Sequence, residues 1–136
     1  MTLFQGGCLC GAVRYETSSE PVNQRVCHCR ACQKVIGAAF NARILMRIGD
    51  VAISGPVSTY RSSETLERGF CPQCGSSIFS RRVSAGVIGL TAGSLDDPSL
   101  FEPDMHFWVS SMQPWLVIAD NLPQYPEGPP SLGYTP

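Results

Sequence analysis

FCPQCG, residues 70–75, has the form of a metal-binding turn. Cys71 and Cys74 are two residues apart, and Pro72 and Gly75 shape the bend that aims both sulfurs at one point and backbone N–H groups at the sulfurs. GGCLCG, residues 6–11, is its counterpart near the start of the chain, with Gly11 placed to take a left-handed conformation after the second sulfur. Two plus two thiolates complete a tetrahedral zinc site. The spacing therefore predicts one closed site of Cys8, Cys10, Cys71 and Cys74, which ties the first strand to the middle of the chain. Structural zinc contributes on the order of 10 kcal/mol to folding, comparable with the whole stability of a domain.

A third cluster lies between the two half-sites, in VCHCRAC, residues 26–32. Cys27, Cys29 and Cys32 supply three thiolates, one short of a closed tetrahedron, so water or an incoming thiolate can take the remaining position. A bound cation there would lower the pKa of a coordinated thiol or polarise a carbonyl. Two other readings stay open on spacing alone. One is a second structural zinc with His28, His106 or a carboxylate as fourth ligand; the other is an iron–sulfur cluster with a ligand from elsewhere. A disulfide framework fits poorly, because seven cysteines leave one unpaired and a Cys8–Cys10 bridge would close a very small ring.

Several neighbours are candidates for chemistry. His28, between two ligands, serves as a general base if its ring faces the cavity, and otherwise as a supporting or surface residue. Arg30, Lys34 and Arg43 are close in sequence to the open site, and arginine grips a carboxylate through paired hydrogen bonds. His106 is expected in the core or behind a ligand, on one face with Trp108 by strand alternation. Arg68 and Glu64 read as a structural pair or backbone support. Phe40, Phe70, Phe79, Phe107, Trp108 and Trp115 read first as core.

Composition limits the alternatives. With 136 residues, 43% hydrophobic and 15% charged, the chain suits one domain with one core. Its formal charge is −1, and Arg81-Arg82 is the only adjacent basic pair, so binding to nucleic acid through phosphate neutralisation is not indicated. No apolar stretch approaches the ~18 residues of a membrane span, and the start of the chain does not read as a secretory signal. A cytoplasmic protein is expected, in a compartment where clustered cysteines mean metal or catalysis.

Glycine and proline punctuate short segments, the pattern of a mainly β domain with many turns. Strands are predicted around Val13–Glu16, Ala39–Ile44, Val51–Ser54, Val57–Arg61, Thr65–Phe70, Ser77–Arg82, Val87–Thr91, His106–Ser110 and Trp115–Ile118. One short helix is predicted over Arg30–Ile36, ended by Gly37, with Cys32 on its first turn, where the helix N-terminus favours a thiolate. The organised domain is placed at 1–122, followed by a proline-rich tail, 123–136, that runs extended along the surface or is loose.

The order GGCLCGAVRYE, CHCRACQKVIGAAF, YRSSETLERGFCPQCGSSIF, then HFWVSS and Trp115 resembles the glutathione-dependent formaldehyde-activating enzyme family, which includes centromere protein V, over about residues 5 to 116. The resemblance implies an Mss4-like fold of antiparallel sheets around zinc knuckles. It implies a structural zinc on Cys8, Cys10, Cys71 and Cys74 and a second, open zinc on Cys27, Cys29 and Cys32. It also implies a carbon–sulfur lyase that condenses glutathione, or a related thiol, with formaldehyde or a small aldehyde to an S-hydroxymethyl adduct. The rival readings are an enzyme for a different thiol and a non-catalytic zinc-binding interaction module.

Overall fold

The computed structural model describes residues 2–128. Among them are two sheets and one α-helix. The smaller sheet joins β1 (Phe4–Gly7), β2 (Arg14–Thr17) and β5 (Ala52–Ser54) in the order β1-β2-β5. The larger contains β3 (Asn23–Cys27), β4 (Asn41–Arg47), β6 (Ser58–Arg61), β7 (Glu67–Phe70), β8 (Ser77–Arg82), β9 (Val87–Thr91) and β10 (Met105–Phe107). Its order is β10-β3-β4-β9-β8-β7-β6.

The helix α1 (Arg30–Ile36) has the predicted bounds, and Gly37 closes it in the left-handed region at φ 71°. β8 and β9 also coincide with the sequence expectation. Four features differ from it. β1 and β3 were not expected: the first is glycine-rich, and the second lacks apolar alternation because it buries Asn23 and Arg25. The strand expected over His106–Ser110 stops at Phe107, because Trp108 takes φ 58° and turns the chain. Trp115–Ile118 forms no strand, and Trp115 and Val117 are exposed at 68% and 82%. Lastly, β10 pairs parallel with β3, the one departure from antiparallel pairing among the described strands. The long connection from β9 crosses to the far side of the sheet and enters beside β3 in the same direction.

The larger sheet has two unlike faces. Ile44 pairs with Leu90, and Leu90 with Phe79; Met46 pairs with Ile88. These side chains pack with Phe4, Val13 and Tyr15 of the smaller sheet region to form the main core, which also takes in Cys8 and Cys71. The other face is buried but polar. Arg25 lies opposite Arg43, Cys27 opposite Asn41, and Ser80 opposite both Arg68 and Gly89. Arg25 and Arg43 are 0% and 1% exposed. Both cap the Phe107 ring, at 4.8 and 5.9 Å from its centroid, so an aromatic face offsets part of the cost of two like charges. Gly89 leaves room for this arrangement, since a Cβ there would lie 3.1 Å from the Arg43 Cδ.

The described start of the proline-rich segment runs along β10. His106 N–H donates to the Pro123 carbonyl at 2.9 Å, Tyr125 N–H to His106, and Trp108 N–H to Glu127. Residues 129–136 of the expected tail lie outside the described residues.

Gly69 offers a test of β7. The Phe79 ring covers it from β8, and a Cβ at 69 would fall 2.3 Å from that ring. Gly69→Ala must displace a ring that is only 4% exposed, and we expect a loss of about 1–3 kcal/mol, read by denaturant unfolding.

Candidate metal centres

Cys8 and Cys10 leave β1 and Cys71 and Cys74 leave β7, and the two turns meet. Their four sulfurs all lie within 4.8 Å of one another. Cys8 Sγ is 3.6 Å from Cys10 Sγ, which is 3.8 Å from Cys71 Sγ. A tetrahedron with metal–sulfur bonds of about 2.3 Å has edges of about 3.8 Å, and these two separations match it, so the quartet is arranged to hold a metal ion. Each turn closes as its sequence implied. Gly11 and Gly75 sit at φ 83° and 78°, a region unfavourable to any residue with a Cβ. Gly75 N–H donates to the Cys71 carbonyl at 2.8 Å, and Val13 N–H to Cys8 Sγ at 3.2 Å. Ser76 binds both turns: its hydroxyl accepts from Leu9 N–H at 3.0 Å and lies 3.2 Å from Cys74 Sγ.

Cys27, at the end of β3, and Cys29 and Cys32, at the start of α1, form the second cluster, again within 4.8 Å. Cys29 caps the helix, its sulfur accepting from Cys32 N–H at 3.4 Å. No imidazole nitrogen or carboxylate oxygen among the described residues joins the three sulfurs. The trio fits an ion with a position to spare. Cys29 and Cys32 open on a cavity of about 330 Å³ whose walls include Arg30, Arg43, Arg68, Leu66 and Trp108. No carboxylate lines it among the described residues.

The family described as "Glutathione-dependent formaldehyde-activating enzyme" matches residues 3–111. The chain belongs to this family. It is 30% identical over 79 residues to an uncharacterized lyase of Schizosaccharomyces pombe, an alignment covering 58% of each chain. The chain thus spans 58% of that curated relative. A crystal structure of a Rhodobacter sphaeroides protein is similar at 26% identity with a TM-score of 0.58, over 73% of this chain and 96% of that one.

In this family member the candidate residues separate into distinct places. Arg30 and Arg43 both line the cavity. Lys34 does not; it lines a shallow depression with Gln113 and Trp115, which Arg30 borders as well. His28 is fully buried and is not part of the cavity wall. Its Nε2 is 2.8 Å from His106 Nδ1, and His106 Nε2 is 2.6 Å from Asp120 Oδ2. His106 therefore stands behind a ligand-bearing segment, as expected. Trp108 does not share its face: the left-handed residue breaks the alternation and turns the indole to the cavity. Phe40 and Trp115 are 37% and 68% exposed, so neither is a core residue.

Arg68 is the residue whose place the sequence reading missed. It makes no ion pair with Glu64 among the described residues; Glu64 gives its carbonyl to Arg61 instead. Arg68 Nε donates to Ser62 Oγ at 3.2 Å, and Nη1 lies 3.9 Å from Cys32 Sγ. An arginine in mid-strand is a weak signal, because the strand's facing becomes known only from its register.

The electrostatics of the trio follow from this setting. Hydrogen bonds from the Cys27 and Cys29 thiols hold Cys32 far below the ordinary thiol range, with Arg43 and Arg68 adding to the effect. Cys27 is pushed up by its hydrogen bonds with the Cys29 and Cys32 sulfurs and by burial. The Arg43 and Arg68 guanidinium groups thus favour the thiolate form at Cys32. Burial, and then the charge of His106, lower His28 to about 4. Unfolded, His28 takes its proton near 6.5, so between these values the unfolded chain binds more protons. Stability from neutral His28 is complete above about 6.5 and falls as pH drops toward 4. Urea unfolding at several pH values should show a steeper acid loss in the native chain than in His28→Gln.

Proposed function

We propose that this chain is a carbon–sulfur lyase-type enzyme that joins glutathione, or a closely related thiol, to formaldehyde or a small aldehyde as an S-hydroxymethyl adduct. One observation carries the reading: the cluster with three sulfurs and no fourth ligand among the described residues opens, through Cys29 and Cys32, on a cavity walled by arginines. The family match supports the same reaction class.

We take both ions to be zinc, with Cys8, Cys10, Cys71 and Cys74 holding the structural one and Cys27, Cys29 and Cys32 the open one. When bound, the open zinc would favour the deprotonated form of an incoming thiol. The chain's own residues orient the substrate. Arg30 and Arg43 are placed to receive the carboxylates of a glutathione-like thiol. Leu66, Ala31 and Trp108 give the cavity an apolar stretch of wall against which the substrate packs. In the net reaction the sulfur bonds to the carbonyl carbon, and the carbonyl oxygen takes up a proton in place of the one the thiol releases. His28, buried behind Cys27 and Cys29, fixes that segment, and water in the cavity is the proton donor. We further read the fold as Mss4-like and the protein as cytoplasmic, where seven free thiols stay reduced.

The test is adduct formation from glutathione and formaldehyde with zinc-replete protein whose metal content has been measured. Two zinc ions per chain and a rate well above the uncatalysed condensation are expected. A rate equal to the spontaneous one, with both ions bound, would rule out this chemistry.

A further inference from the structure

The charge of the three-cysteine centre is not balanced by its own ligands. Three thiolates around a dication carry one surplus negative charge, and an added thiolate makes it two. Buried surplus charge is costly unless an opposite charge is held beside it. Arg68 is held there. Its guanidinium Nη1 is 3.9 Å from Cys32 Sγ, and the residue is 7% exposed. Its Nε is fixed by Ser62 Oγ at 3.2 Å, and Ser62 is itself tied to the Leu66 carbonyl through its backbone N–H at 2.9 Å. The register of β7 on β8, with Arg68 opposite Ser80, puts the side chain on the polar face that also carries Cys27 and Arg43. β7 runs directly into Cys71, so the closed site anchors the strand that brings this cation to the open one.

We propose that Arg68 is a specificity-determining residue: its guanidinium makes the three-cysteine centre accept an anionic sulfur ligand in preference to a neutral one. The inference rests on the reading of the trio as a metal centre that binds thiols. The charge of Arg68 acts on the ligand's sulfur, whatever else the ligand carries. A thiol gives up its proton to the solvent on binding, and the added negative charge is what Arg68 offsets.

The full chain loaded with cobalt(II) tests this, because sulfur-to-cobalt charge-transfer absorption reports each added thiolate, over a constant background from the four-cysteine site. The probes are 2-mercaptoethanol, a thiol without a carboxylate, and imidazole, a neutral ligand, at fixed pH and ionic strength. The native chain is expected to bind 2-mercaptoethanol more tightly than imidazole. Arg68→Gln should raise the Kd for 2-mercaptoethanol at least about tenfold, the effect of one nearby charge in a partly buried site, and leave imidazole unchanged. Arg68→Lys, which keeps the charge, should stay within about threefold of native. Equal thiol affinity in native and Arg68→Gln overturns the inference. So does a loss confined to glutathione, which would put Arg68 on a substrate carboxylate. If Arg68→Gln does not fold, the native chain still decides, since imidazole bound as tightly as the thiol contradicts the proposal. Failure of native cobalt protein to bind any thiol removes the proposed function as well, whereas thiol binding indifferent to Arg68 removes only this inference.

Discussion

Cys71→Ser should abolish the cooperative unfolding transition of the chain. Cys71 is 0% exposed and sits with Cys8 inside the main core, so the substitution does two kinds of damage. It removes one of the four sulfurs that close the tetrahedron, and it leaves a hydroxyl in an apolar setting. The closed site is worth on the order of 10 kcal/mol, against a net stability of about 5–15 kcal/mol for a domain of ordinary size. Thermal unfolding followed by circular dichroism, with zinc content measured on the same samples, gives the answer. A native-like melting curve for Cys71→Ser, or a native protein indifferent to a strong chelator, would contradict the view that this quartet holds the fold. Exposed Cys10 provides a graded comparison: Cys10→Ser loses the ligand without burying a hydroxyl, and its loss should be the smaller.

The second large effect is on turnover. Cys32→Ser should reduce thiol-dependent condensation at least about 100-fold, the upper range for disturbing even the groups that support metal ligands, while leaving the unfolding transition in place. The two predictions separate because the clusters sit in different packing units. Cys27 and Cys32 pack with Phe107 in a small group of their own, away from the main core. Cys29→Ser is the useful control, since serine is itself a good N-cap and keeps the start of α1 while removing a sulfur. A Cys32→Ser protein with the native rate and native zinc content would show that the trio does not carry the reaction.

Much of this was legible in the chain because the signals were local. The Cys-x-Cys and Cys-x-x-Cys spacings, with a glycine after each pair, specify turns that need no tertiary partner to be recognised, and they meet as one quartet. The short α1 carried its own stop in Gly37. β8 and β9 were readable because their β-branched and aromatic residues fall between clear turn residues. β3 was not, because burial on the polar face replaces apolar alternation with Asn23 and Arg25.

The amino-acid order by itself determined which sulfurs pair into a closed site and which three remain, because ligand spacing is a property of a few consecutive residues. Only the tertiary structure decided what faces the three. Strand register brought Arg43 and Arg68 from β4 and β7 to the cavity, a single left-handed residue turned Trp108 toward it, and burial against His106 took His28 away from it. The face a side chain presents depends on partners distant in sequence, and no local pattern records them.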